Sequence, residues 1–429
     1  MIREMKRLLL MLVLGYYAAQ AMALSAIVGR VDYTSAKISV FSGEKLSVKV
    51  SPADSANKQK CLVNCSKTSP STSVVEIDGL SPATKYAYTI SDSNETLAGT
   101  FKTSPDYLDR TPPPDFSFAV FGTNHFNDKP FDHPFKTEGG EYEIFATAQK
   151  NGTDFAVWAG GLDTLRNADK SSELAHISRF AKAAANPQAQ KILLNMPNYG
   201  VVSGAAFGSN TAGKFSATSK NAKSAFEKTW AWQFAADEAA YYSFSFSDAE
   251  FFVLDVCSRR SNLDFRSSLP EILGREQMTW LEANLAESKA TFKIIVAGMP
   301  ITNPVKSDTN FTFADRERKE LLEFLASKKI GGLFVVSANK PYAEITRFIR
   351  AGAYPITELT AGASTARADG EQTQTNYFRM PSSLVKKRSF AVVKIFGAEN
   401  DRQISVSIIG TNGETLFKTS LKNSELTGK

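Results

Sequence analysis

Carboxylates and imidazoles are the side chains that bind metal ions and move protons, and the loops that follow this chain's strand-like runs are short of both. It holds three histidines in 429 residues, His125, His133 and His176, and none follows the later strand-like runs. The loops best placed to hold ligands read A-G-G-L-D at 159–163, L-N-M-P-N-Y-G at 194–200 and S-A-N-K-P at 337–341. Asparagine offers a neutral carbonyl, while glycine and proline offer no side-chain donor. His125, Asp163, Tyr199, Asp255 and Lys340 are the candidate pocket residues. A shifted cation could use His125, Asp163 and Asp255. A metal-free pocket could instead be built from Asn124, Asn195, Asn198 and Asn339, with Lys340 supplying one positive charge for a small anion or phosphorylated ligand. No G-x-S-x-G elbow occurs, and the glycine-rich stretch 204–213 lacks the Lys-Ser/Thr ending of a phosphate-binding loop, so it reads as a flexible surface loop.

The elements that must carry these residues fall into two stretches. From 24 to 105, short alternating strands (37–41, 46–50, 74–77, 86–90, 99–103) are separated by turn signals. Within it, G-L-S-P-A-T-K-Y-A-Y-T-I at 79–90 resembles the corner of a fibronectin type III domain, where Leu80 plugs a sandwich and Tyr86 enters the next strand. Residues 106–114, ending in three prolines, read as an extended linker. From 115 to 429, apolar strand-like runs (116–121, 154–159, 191–195, 250–256, 292–298, 332–338, 354–360) alternate with helical patterns at 271–288 and 314–329. Strands buried on both faces and fed by helices give an α/β domain. The tail returns to alternation, with a hairpin signal at Asn412-Gly413.

Residues 1–23 carry Arg3, Lys6 and Arg7, an apolar run at 8–14 and A-M-A at 21–23, the pattern of a cleaved export signal. The expected destination is the periplasm or the outside of the cell, with no transmembrane segment. Cys61 and Cys65 in C-L-V-N-C are expected to close a small disulfide in such a compartment, and Cys257 is expected to be a buried, inert thiol. Fifty basic against forty-four acidic residues give +6, and the basic residues are scattered, which argues against nucleic acid as a partner. Lys386-Lys387-Arg388 is the one compact basic run, a solvated loop or a patch for an acidic polymer or envelope surface.

The order of F-A-V-F-G (118–122), Y-Y-S-F-S-F-S-D-A-E-F-F-V-L-D (241–255), L-G-R-E-Q-M-T-W-L-E (273–282), F-K-I-I-V-A-G (292–298), D-R-E-R (315–318), Y-A-E-I (342–345) and T-E-L-T (357–360) resembles the PhoD-like (alkaline phosphatase D) metallophosphatases. The resemblance implies a fibronectin type III-like β-sandwich over 24–105 followed by a four-layer αββα domain over 115–429 with two metal ions at its strand ends. It further implies ligand loops of the form G-S-C, L-G-D, D-D-H-D-Y-G and S-G-D-R-H. Those positions here hold Asn124, Gly161, Asn195, Met196, Pro197, Asn198, Asn339 and Pro341. The expectation is therefore a degenerate member that has lost phosphoester hydrolysis and acts in binding or assembly with a protein or envelope component. The alternative is an active phosphatase or phosphodiesterase with an unconventional centre.

Overall fold

The computed structural model describes residues 22–54, 60–128, 138–209, 213–230, 240–262, 269–368 and 375–427. Residues 1–21 of the export-signal reading, His133 and residues 210–212 lie outside the described residues.

The first seven strands are β1 (Ser25–Val31), β2 (Ser35–Phe41), β3 (Ser47–Pro52), β4 (Leu62–Ser69), β5 (Thr72–Asp78), β6 (Lys85–Ser91) and β7 (Thr96–Lys102). They form two antiparallel sheets in the orders β1-β2-β5-β4 and β3-β6-β7, the arrangement of a constant-type immunoglobulin sandwich. Alternation builds the core: Val75 and Ile77 of β5 meet Tyr86, Tyr88 and Ile90 of β6, all buried. The Ser81 N–H donates to the Tyr86 hydroxyl at 2.7 Å, and Leu80 beside it is buried, which is the corner read from 79–90.

The cysteine reading is corrected here. Cys61 and Cys65 are both free, because Cys65 stands on extended β4 and Cys61 just ahead of it. Four residues of strand separate Cα atoms by about 13 Å, well beyond the reach of a disulfide.

The larger part contains β8 (Phe116–Phe121), β9 (Phe155–Trp158), β10 (Asn198–Gly200), β11 (Tyr242–Phe246), β12 (Ala249–Val253), β13 (Phe292–Ala297), β14 (Leu333–Ser337), β15 (Glu344–Phe348), β16 (Ile356–Thr360), β17 (Ser389–Phe396), β18 (Gln403–Gly410) and β19 (Thr415–Lys422). One six-stranded sheet runs β10-β9-β8-β17-β18-β19 and the other β11-β12-β13-β14-β16-β15. Strands β8, β9 and β10 are mutually parallel, as are β12, β13, β14 and β16. Neighbouring residues on one strand enter different layers. Phe118, Phe251 and Val336 join an aromatic slab between the sheets, with Phe155, Tyr199 and Phe244. Ala119, Phe252 and Val335 face outward, into the cluster that holds helices α1 (Glu143–Lys150), α2 (Glu173–Ala184), α5 (Ser219–Thr229), α6 (Gly274–Glu287) and α7 (Asp315–Ser327). The result is the expected αββα stack.

Two elements depart from the expectation. Residues 191–195 are not a strand: α3 (Gln190–Leu193) occupies them, and the third parallel strand is β10, a few residues later. Part of the supposed loop 204–213 is α4 (Gly204–Phe207), a buried helical turn opened by the Ser203 hydroxyl.

The sandwich is docked through β10 and its approach. Tyr88 Oη donates to the Leu194 carbonyl at 2.9 Å, and Asn198 Nδ2 donates to the Val28 carbonyl at 3.2 Å. The end of the proline-rich stretch is moored by Arg402, whose side chain is fully buried. Its guanidinium pairs with Asp248 through two contacts (2.8 and 3.0 Å) and donates to the carbonyls of Pro114 and Gly397. Arg402→Met leaves the mostly buried Asp248 carboxylate without its cation, so a loss of roughly 3–5 kcal/mol in urea unfolding is expected. A change under about 1 kcal/mol, the size of an exposed pair, would show that the mooring is unimportant.

Candidate functional site

In a parallel α/β arrangement the edge where strand C-termini meet is where ligands bind. Here that edge is closed by backbone. A Cβ on Gly122, just after β8, would stand 1.6 Å from the carbonyl oxygen of Gly362, just after β16. The two sheets therefore touch main chain to main chain at this end. Hydroxyl groups sew the loops together. The Gly122 N–H donates to Ser364 Oγ (2.9 Å), the His125 N–H donates to Thr365 Oγ1 (2.9 Å), and Ser203 Oγ donates to the Gly160 carbonyl (2.7 Å).

Each expected site residue has a definite place. Asn124 is fully buried, and its amide donates to the carbonyls of Gly122 (3.1 Å) and Gly161 (3.0 Å), tying the β8 loop to the β9 loop. Gly161 has φ +84°, and a Cβ there would lie 2.5 Å from Ala206 Cβ, so no carboxylate side chain fits in this backbone. Asp163 is sealed off from solvent. It pairs with Arg179 at 2.6 Å and accepts N–H groups from Phe126 and Thr164. Burial pushes its carboxyl upward, against the pull of Arg179. Asp255, also buried, accepts the N–H groups of Cys257 (3.0 Å) and Ser258 (2.9 Å). His125 is buried beside Thr365. His125, Asp163 and Asp255 do not gather: no group of three or more His, Cys, Asp or Glu side chains able to hold a metal occurs among the described residues.

The third loop was misplaced by the sequence reading. Asn195, Met196, Pro197 and Asn198 precede or begin β10, so they lie at the opposite end of the sheet from its C-terminal edge. Asn198 accepts from Trp158 Nε1 at 3.0 Å and serves the sandwich contact. Tyr199 is buried in the inner slab, stacked on Phe244 with centroids 3.6 Å apart, and lines no pocket. The positions that do follow β10 are Val201, Val202 and Ser203, then α4, and none is a cation ligand. The metal-free pocket of four asparagines is thus not assembled: Asn124, Asn195 and Asn198 each spend their amides on local backbone.

After β14, Asn339 adopts φ +69° and is buried, and Pro341 leads the chain toward the Ala343–Val385 bridge. Lys340 is partly buried, with Nζ donating to Thr309 Oγ1 at 2.6 Å. Burial pulls its ammonium down to about 8, against the raising influence of Glu344, Asp308 and Glu358. Nearby Glu344 and Glu358 are wholly buried and saturated, Glu344 by Asn303, Asn376 and Arg379, and Glu358 by the N–H groups of Ile301 and Thr302. Beside the closed edge lies an open cleft of about 600 Å³ whose lining includes Glu141, Glu143, Arg367, Lys386, Lys387 and Arg388. The basic run is thus on a concave wall, where Arg388 faces Glu141 at 3.7 Å.

The sequence reading missed Arg179 as partner of Asp163, and Ser203, Ser364 and Thr365 as the hydroxyls that close the edge. The run A-G-A-S-T at 361–365, small and hydroxyl-rich after a strand, was the available signal.

Two cations at this edge are what the resemblance implies, and the donor set does not fit them. Amides and hydroxyls stand where anions are required, and Asn124, Ser203 and Ser364 are committed to neighbouring backbone. No catalytic step is derived through such a centre.

Gly161→Asp should destabilise the chain by roughly 1–3 kcal/mol, from the left-handed backbone and the Ala206 contact, and should bring no metal with it. Tight metal uptake by this variant at unchanged stability would contradict the closed edge. Lys340 yields a pH test. Its native ammonium titrates near 8 and its unfolded one near 10.5, so the unfolded chain holds the extra proton between those values. Stability should therefore rise with pH across that window and fall as pH drops through 8. The slope should vanish in Lys340→Met, measured by urea unfolding from pH 7 to 10.5.

Residues 200–408 match the family model described as PhoD-like phosphatase. No curated protein sequence matches the chain. Among solved structures it is similar to PhoD, with TM-score 0.76 and 15% identity over 95% of this chain and 91% of that one. It is also similar to the purple acid phosphatase PPD1 isolated from yellow lupin (Lupinus luteus) seeds, with TM-score 0.64 and 12% identity over 92% of this chain and 74% of that one. The sequence match to the PhoD-like phosphatases thus covers residues 200–408, and the fold of PhoD is shared along nearly the whole length of the chain.

Proposed function

We propose that this chain is an exported PhoD-like protein that has lost metal-dependent phosphoester hydrolysis and works by binding, within a surface or envelope assembly. In this reading residues 1–23 are a cleaved signal, 24–105 a docking sandwich, 106–114 a linker and 115–429 the degenerate catalytic scaffold. The observation that carries it is the closed edge: Gly161 in a left-handed backbone against Ala206, and Asn124 fully bonded between two loops. A two-metal centre supplies on the order of ten kcal/mol of barrier lowering, and neutral amides cannot replace it. The open cleft carrying Lys386 and Lys387 is the surface that this reading offers to an anionic or phosphorylated ligand; neither lysine makes an ion pair among the described residues. Elemental analysis of protein purified without chelators, paired with hydrolysis of aryl phosphate mono- and diesters, tests it. The expected result is no stoichiometric Fe, Zn, Mn or Ca and no chelator-sensitive turnover. Two equivalents of metal with turnover abolished by chelator would return the chain to the active phosphatases.

A further inference from the structure

Strand β4 ends the four-stranded sheet of the sandwich, bonded on one side to β5 and, among the described residues, unpaired on the other. Nearly every residue of it is exposed, including Leu62 (63%) and Val63 (39%). An open apolar edge of this length is a template for another strand. Cys61 and Cys65 flank its first half, both as free thiols that cannot reach each other. Their even spacing puts them on one face with Val63, the face that Val63 and Cys65 share with their β5 partners Ile77 and Val75.

We propose that β4 is the interface of a two-fold dimer, in which it pairs antiparallel with β4 of a second copy and is sealed by two disulfides, each between Cys61 of one protomer and Cys65 of the partner subunit. A register with Val63 opposite itself places Cys61 opposite Cys65 twice, at the two ends of the five-residue segment 61–65. Directly opposed residues in an antiparallel pair have Cα atoms about 4.5–5.5 Å apart, inside the disulfide range. The same register sets Leu62 against Asn64 and Lys60 against Ser66, so no like charges meet. Lys67 is folded back on the carbonyls of Gly43 (2.8 Å) and Pro70 (3.3 Å), clear of the edge. The contact is isologous and closes on itself as a dimer.

Each bond forms as two thiols lose two protons and two electrons by exchange with an oxidised protein dithiol carrier, which leaves as the reduced dithiol. Burial pushes both thiols up, so little thiolate is present near neutral pH and a carrier is needed for speed. The inference rests on the export reading, which supplies the oxidising compartment.

The test uses the full mature chain. Wild type recovered from the oxidising compartment should run as a dimer on a non-reducing gel and as a monomer with reductant. Cys61→Ser alone and Cys65→Ser alone should each stay monomeric. Mixed and oxidised with glutathione disulfide, the two variants should give a covalent heterodimer, since one still carries Cys65 and the other Cys61. An intrachain Cys61–Cys65 link by peptide mass, a dimer from Cys61→Ser alone, or no heterodimer from the mixture would overturn the interface. The glutathione arm is run on chain made in a reducing compartment and needs no export. Heterodimer there supports the interface even if intact mass in cells shows residues 1–23 retained, a result that removes the export reading alone.

Discussion

Everything at the functional end of this molecule depends on one contact, the main chain after β8 lying directly against the main chain after β16. With Gly122 and Gly362 in touch, no side chain can project between them. The loops on either side are packed against one another at this contact, and several of their polar groups find partners there. Asn124, Ser203, Ser364 and Thr365 do this, each bridging two loops. A buried amide bonded to two carbonyls ties the loops together, but it adds no charge and activates no water.

The motifs by which the chain resembles the PhoD-like phosphatases belong to the framework. Glu317 of D-R-E-R accepts three N–H groups, from Ile272, Leu273 and Gly274, at the start of α6. Arg318 donates to the carbonyls of Ile301 and Thr302, whose N–H groups are held by Glu358 of T-E-L-T. Gln277 clasps the backbone of Asp255 from both sides. These groups are buried and fully engaged, so losing one would unfold a segment whether or not any reaction were catalysed. The recognisable sequence at these positions therefore has a structural reason of its own.

How much could be read in advance follows from the same physics. Continuous apolar runs such as 116–121 and 292–298 announce buried parallel strands, and the structure puts β8 and β13 there. The run K-I-L-L-N at 191–195 has the same look but is short, and helix and strand cannot be told apart in so brief a stretch. The real strand, N-Y-G, is rich in poor strand formers and is set by pairing with β9, a tertiary effect without a local signature. That slip carried Tyr199 and the asparagines to the wrong end of the sheet. The cysteines failed for a related reason, since spacing suggests a loop while the backbone is extended. The residue types at 124, 161 and 339 need no fold to be read, since identity alone decides what donors they offer.

Leu194 has a role that belongs to neither half of the chain. Its carbonyl accepts from Tyr88 and Thr100 of the sandwich, and its side chain completes the sandwich's own apolar cluster although it sits just after α3. A piece cut at the proline-rich stretch would carry away a core with a hole in it and leave behind a leucine in water. Leu194 thus couples the two halves on either side of the linker through a shared piece of apolar core.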